Sequence, residues 1–383
     1  MRIPELDGIR GIAICLVIAS HYAVFARQLF QLPQFGWVGV DIFFVLSGFL
    51  ITGVLLNLKG QPGAFRTFYY RRSRRIFPPY YMVLFTILIA TLLVGDRTLL
   101  DPATVLTNLT LQQSFKGFTD LVNHIRNAIQ YGPVTLRFAV LPPNFPGLIG
   151  SISLSTGVFW SLSIEEYFYL LWAPIVLWLR RRTVIVVAVA ICFGAMFIRW
   201  YGFTSRFEYF SIYYRFDALI FGALIALLPP LKKKWALAVM IASTLGVGAI
   251  LLSIYPFLGL DIRESPLFMV LGLPLICSFV AGAICLLVET SGSNTPIHLL
   301  LRSRLLTAIG TISYTLYLIH GLVYVTLQRW LKLDIAGLAA VPLSVGLAAL
   351  SWIYVEKPIL SYGQHSNAQS YPNVPRTARC ATN

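Results

Sequence analysis

Arg10 and His21 stand eleven positions apart in the apolar run LDGIRGIAICLVIASHY. At about 100° per residue, eleven steps of α-helix make three turns plus roughly 20°, so the two side chains share a face and sit roughly 16 Å apart along the axis. Asp7 falls near the same stripe. An imidazole titrates near neutral pH and can take a proton from a hydroxyl, while a guanidinium grips carboxylates and phosphates with a planar fork. Such groups cost several kcal/mol when they face lipid, so this stripe is expected to look into a protein interior or a wet cavity. The plainer alternative has Arg10 snorkelling to one membrane surface and His21 capping the helix near the other.

Other ionisable residues interrupt apolar runs in the same way. Asp41 lies in GVDIFFVLSGFLIT, Glu165 and Glu166 in FWSLSIEEYFYLLW, Arg215 and Asp217 in YYRFDALIFGALIA, and His320 in ISYTLYLIHGLV. With His21 they are expected to form one band in the outer leaflet, about two turns or roughly 9 Å from the outer helix ends. Ion pairing of Arg215 with Glu165, Glu166 or Asp217 is the structural explanation. Two histidines and several carboxylates exceed what pairing requires, which makes the band a candidate for acid–base chemistry. In that reading His21 is the general base, and Asp41, Glu165 or Glu166 orients its ring. Arg215, Asp217 and His320 are then candidate contacts for a substrate hydroxyl, although His320 also reads as a packing residue. Adjacent Glu165 and Glu166 differ by about 100° around a helix, so one enters the cavity while the other braces a neighbour.

The run YYRRSRRIFPPYY places Arg71, Arg72, Arg74 and Arg75 ahead of an apolar segment. Arg71 with Arg74, or Arg72 with Arg75, has the i,i+3 spacing that suits a grip on phosphates. A topology signal in contact with anionic lipids explains the same cluster.

These residues need helices to position them, and the composition supplies little else. Of 383 residues 57% are hydrophobic and 12% charged, with a mean hydropathy of +0.74. Apolar runs near 9–27, 38–58, 76–95, 158–179, 183–201, 212–231, 235–254, 267–288, 305–327 and 336–355 predict an all-α, polytopic membrane protein of about ten helices. Basic clusters at Arg66 to Arg75, Arg180 to Arg182, Lys232 to Lys234, and Arg302 with Arg304 fall between alternate runs. By the positive-inside rule these connections and both termini are cytoplasmic. The net charge of +15 is therefore mostly topology, and a nucleic-acid partner is not expected. Four of five cysteines lie within apolar runs, so neither a disulfide framework nor a metal site is expected. No signal-peptide cleavage pattern follows the first run, which is expected to be retained. The segment 96–157, with Pro133, Pro142, Pro143 and Pro146, reads as a long external loop with an interfacial helix near 102–115. Residues 359–383 read as a disordered cytoplasmic tail.

Taken in order, LDGIRGIAICLVIASHY, GVDIFFVLSGFLIT, RRSRRIFPPYY, FWSLSIEEYFYLLW, RFDALIFGALIA, ISYTLYLIH and WIYVEKPI resemble the integral-membrane acyltransferase 3 family of sugar and polysaccharide O-acyltransferases. The likeness covers the membrane domain, residues 1–358. It implies transfer of an acyl group, commonly acetyl, from cytoplasmic acyl-CoA to a hydroxyl of a glycan, lipid-linked sugar or glycosylated small molecule. It maps the family's essential Arg and His onto Arg10 and His21, and its donor-binding R-x-x-R element onto Arg71 to Arg75. Ser47, Gly48 and Glu165 or Glu166 lie in motifs held to matter. It also implies a bacterial inner (plasma) membrane location with the bilayer, acyl-CoA and a carbohydrate acceptor as partners, and the sequence carries no sign of oligomeric state. Some members carry a fused esterase-like domain; none follows Val355 here, so an acceptor that does not need one is expected. His21 either deprotonates the acceptor or carries the acyl group covalently. A proton-coupled transporter is the competing class, for which no inverted repeat is visible.

Overall fold

The computed structural model describes residues 3–22, 35–94, 158–202, 209–254, 262–328 and 333–362, with single positions at 105, 109, 330 and 331. Apart from the helical positions Val105 and Leu109, the expected external loop with its interfacial helix, and most of the tail, lie outside the described residues. Those that are described form helices: α1 (Pro4–Tyr22), α2 (Val38–Leu58), α3 (Ala64–Val94), α4 (Phe159–Trp178), α5 (Arg181–Gly202), α6 (Ile212–Leu227) and α7 (Lys233–Ile254). Then come α8, a π-helical turn Phe268–Gly272 running into Leu273–Glu289, the short α9 (Pro296–Leu301) and α10 (Arg304–Gln328). The last, α11, runs from Leu333–Ser351 through a π-helical turn Trp352–Glu356 to Lys357–Ser361.

Among the described residues, six helices are long and apolar enough to cross a membrane: α2, α5, α7, α8, α10 and the Ile335–Ser361 part of α11. Helices satisfy their own backbone hydrogen bonds, which is what a spanning segment requires. Helices α1 and α4 fall short because Glu5, Asp7 and Arg10, and the Glu165–Glu166 pair, interrupt their apolar runs, and α6 because it has only 16 residues.

The starts of two helices differ most from the sequence reading, and the last helix also runs past the expected 355 to Ser361. Helix α1 starts at Pro4, which brings Asp7 within 3.7 Å of Arg10 as an i,i+3 pair. Helix α3 starts at Ala64, so the arginine cluster lies inside the helix rather than ahead of it. Phe68, Ile76, Tyr80, Val83, Leu84 and Ile87 on α3 are buried. That continuous apolar stripe carries the helix through the charged turns.

At the centre α1 packs against α10 and α2, while α2 also meets α6, α4 and α8. Glycines permit this closeness. A Cβ on Gly11 would strike the Leu306 carbonyl, and one on Gly310 the Asp7 carbonyl, so α1 and α10 touch backbone to backbone. Gly48 and Gly222 do the same for α2 and α6, against the Leu219 and Val45 carbonyls. Small residues at crossings are how helices gain contact in lipid, where apolar burial alone gives little driving force. Gly48, expected from its motif to matter, is thus a packing residue. At the periphery α5 and α7 leave Phe193, Phe197, Leu245 and Leu252 exposed, as suits a lipid-facing wall.

Candidate active site

A cleft with about 720 Å³ of empty space is lined by α1, α2, α3, α4 and α10. Arg10, Arg72, Arg75, Glu165, Ser47 and Tyr169 line it. Along α4 the lining passes from Tyr169 and Glu165 to Ser161, and along α10 from Ser313 and Tyr314 to Tyr317. The Glu165 carboxylate is held by two hydroxyls, Ser47 donating at 2.8 Å and Tyr169 at 2.9 Å. Arg72 lies over the Tyr169 ring, 5.5 Å from its centre. Three guanidinium groups thus share the cleft with a single carboxylate, an arrangement suited to a polyanionic ligand.

One helical turn beyond Tyr317 stand the two histidines. His21 Nδ1 is 2.6 Å from His320 Nε2, with the rings almost parallel. His320 Nδ1 is 2.6 Å from the Tyr317 carbonyl oxygen, and Tyr22 donates its hydroxyl to the His320 carbonyl at 2.9 Å. Tyr317 in turn donates to the Val158 carbonyl at 3.1 Å and meets Ser161 Oγ at 2.6 Å. The residue that turns toward the cleft is therefore hydrogen-bonded through its backbone to the histidine pair. His320 is fully buried, whereas His21 is partly exposed.

The expected single band does not hold together. Asp41 is paired with Arg215, and Asp217 with Arg199 in a two-pronged contact of 2.6 and 3.1 Å. Arg199 also donates to the Tyr214 carbonyl at 2.6 Å. All four side chains are buried, and none lines the cleft. Asp41 makes no hydrogen bond to His21; its Oδ1 meets Arg215, and its Oδ2 is buried without a hydrogen-bond partner. Arg215 and Asp217 are likewise held in ion pairs away from the cleft. Glu165 is the member of its pair that enters the cleft, and Glu166 Oε1 is buried without a hydrogen-bond partner.

The arginine cluster splits by helical phase. Arg72 and Arg75 face the cleft, whereas Arg74 donates to the Tyr362 carbonyl at 2.6 Å and lies over the Tyr70 ring, and Arg71 is absent from the lining. Sequence reasoning missed Arg199, whose signal was an arginine within the apolar run of α5. It also missed Tyr314 and Tyr317, whose spacing before His320 puts Tyr317 on the histidine's face. Among the described residues, no group of His, Cys, Asp and Glu is arranged to hold a metal ion.

The bundle thus gathers three arginines in one cleft and sets an imidazole pair one turn beyond Tyr317. A family model described as an acyltransferase domain matches residues 3–356, and the chain belongs to this acyltransferase family. It is 28% identical to a putative peptidoglycan O-acetyltransferase, YrhL, of Bacillus subtilis, over 95% of this chain and 56% of that protein. It is 26% identical to the peptidoglycan O-acetyltransferase OatA of Listeria monocytogenes, over 94% of this chain and 56% of that protein. It is 25% identical to the O-acetyltransferase OatA of Staphylococcus aureus, over 94% and 58%. The chain thus spans a little over half the length of these relatives. No solved structure matches it significantly.

Proposed function

We propose that this protein is a multi-pass membrane O-acetyltransferase that moves an acetyl group from cytoplasmic acetyl-CoA to a hydroxyl of a glycan, with peptidoglycan as the acceptor. The membrane domain, expected at residues 1–358, runs with its last helix to Ser361; it comprises ten spans with both termini cytoplasmic, and the residues beyond form a cytoplasmic tail. The alternation of basic clusters between helices supports that orientation and a location in the inner (plasma) membrane. The acceptor class rests on the names of the relatives.

The observation that carries this reading is the cleft itself, with Arg10, Arg72 and Arg75 among its lining and Tyr317 one turn short of the histidines. The arginines hold the phosphates of the donor at the cytoplasmic end. The pantetheine arm follows the Arg10 face of α1, which from Arg10 to His21 rises roughly 16 Å. At the thioester, His21 takes the proton from the acceptor hydroxyl as its oxygen attacks the carbonyl carbon. The carbon–sulfur bond then breaks, and the coenzyme leaves as a thiol after receiving that proton from His21. Glu165, between the Ser47 and Tyr169 hydroxyls, sets the position of the arginines beside it.

Isothermal titration of the purified protein with acetyl-CoA tests the donor site. The parent and His21→Ala should bind alike, Arg72→Ala/Arg75→Ala should bind weakly, and only His21→Ala should combine donor binding with no acetyl transfer to peptidoglycan fragments. A well-folded parent that fails to bind acetyl-CoA overturns the proposed donor.

A further inference from the structure

We propose that His320 is a positioning residue that fixes the tautomer of His21, leaving His21 Nε2 as the basic nitrogen of the site. The inference rests on the reading of His21 as the general base.

It follows from which atoms can donate. The Tyr317 carbonyl 2.6 Å from His320 Nδ1 can only accept, so His320 Nδ1 carries a hydrogen. A neutral imidazole has one N–H, which leaves His320 Nε2 with a lone pair. That lone pair faces His21 Nδ1 at 2.6 Å, so His21 Nδ1 is the donor and His21 Nε2 keeps its own lone pair. A charged His320 would need a nearby anion in its fully buried position. The carboxylates that come nearest in the sequence reading are paired elsewhere, Asp41 with Arg215 through Oδ1 and Glu165 with Ser47 and Tyr169, and neither is hydrogen-bonded to His320. The chain of donors therefore has one consistent direction, from His21 through His320 to the backbone of α10. Tyr22 anchors that backbone by donating to the His320 carbonyl.

The arrangement does for His21 what a buried carboxylate does in a Ser-His-Asp triad, with one difference. Its orienting group is a neutral ring. When His21 Nε2 takes the acceptor proton, the O–H bond breaks, a new N–H forms, and the imidazolium leans on His320 through the Nδ1–H bond. The proton then passes to the departing coenzyme sulfur, which restores the original pair.

The full chain in lipid nanodiscs, with acetyl-CoA as donor and peptidoglycan fragments as acceptor, tests this. Because a positioned base contributes on the order of 10²–10⁴-fold, His320→Ala and His320→Phe should lower kcat by about 100-fold while KM for acetyl-CoA stays within about threefold. His320→Gln keeps an oxygen that accepts from His21 Nδ1, and should recover kcat to within about tenfold of the parent. Phe fills the space without accepting, so equal activity of the Phe and Gln variants, or near-parental kcat in His320→Ala, overturns the proposal. Nitrogen NMR of histidine-labelled protein in bilayers reads the tautomer without turnover, with His21→Ala assigning the signal. A His21 protonated on Nδ1 and bare on Nε2 supports the proposal; the reverse overturns it. An active His21→Ala variant would instead overturn the reading of His21 as the base, whatever the tautomer.

Discussion

Two groups of charged side chains lie within this bundle, and they are built in opposite ways. In the cleft, Arg10, Arg72 and Arg75 accompany one lining carboxylate, Glu165, whose oxygens are taken by two hydroxyls, and Arg10 alone has a second, Asp7, at 3.7 Å. Between α2, α5 and α6, Arg199 meets Asp217 and Arg215 meets Asp41, one to one, with all four side chains at most 3% exposed. The second group is balanced in charge, with Asp41 Oδ2 and the Nε of each arginine buried without a hydrogen-bond partner. Its charges neutralise each other, and the return for burying them is a fixed helix arrangement. The first group has surplus positive charge beside open space, a condition that an anionic ligand relieves. An ionisable residue in an apolar helix is thus not a site by itself; the count of its partners decides.

Breaking the balanced group should have the largest effect. Asp217→Ala strands the Arg199 guanidinium, which is 0% exposed, and should cost about 3–5 kcal/mol of stability. Thermal unfolding in detergent measures this, and Arg199→Met combined with Asp217→Leu should recover most of the loss. If Asp217→Ala unfolds like the parent but no longer binds acetyl-CoA, the two groups are not distinct. In the cleft the sign reverses. Charge-assisted hydrogen bonds contribute about 1.5–3 kcal/mol, so Arg72→Ala/Arg75→Ala should weaken acetyl-CoA binding by about 10–100-fold. Its melting temperature should hold or rise, because crowded like charges have been removed. Added salt should weaken parental binding more than that of the variant. A smaller shift is expected of Glu165→Gln, which keeps a partner for Ser47 and Tyr169 but drops the negative charge. Titration should give acetyl-CoA affinity up by about threefold through lost repulsion. A fall of more than about tenfold would mean that Glu165 does more than set the local charge.

How much of this was legible depends on the period of the signal. Helix α2 has the bounds its sequence predicts because Val38–Leu58 is apolar throughout but for Asp41 and a few uncharged polar residues. The start of α3 was missed because Arg66 to Arg75 looks like a polar flank, whereas its other face, Phe68 and Ile76, is buried. Arg10, His21 and Glu165 were legible because polar groups in apolar runs are few and each demands a partner. Which partner each one finds was not legible. Depth along a helix can be counted from its ends, but azimuth relative to other helices depends on crossings such as Gly48 on Leu219 and Gly11 on Leu306. That is why Asp41 was read as an orienting group for His21 and is instead closed off by Arg215. The His21–His320 contact joins residues 299 positions apart, a pairing that no periodicity reports.

The smallest predicted effect is the sharpest test of where the cleft ends. Arg71 and Arg74 have the same i,i+3 spacing as Arg72 and Arg75, and only helical phase separates the two pairs, by about 100°. Arg74 is engaged by the Tyr362 carbonyl and the Tyr70 ring on another side of α3. Removing it with Arg71 takes as much positive charge from the same helix turn as Arg72→Ala/Arg75→Ala does. Long-range attraction would therefore fall equally in both variants, whereas direct phosphate contact would fall only in the cleft-facing one. Titrated side by side, Arg71→Ala/Arg74→Ala should bind acetyl-CoA within about threefold of the parent at physiological salt, where charges farther apart than about 8 Å are screened. Equal loss in the two variants would put the phosphates outside the cleft mouth, against the face of α3 that meets the end of α11, and the surplus charge within the cleft would need another ligand.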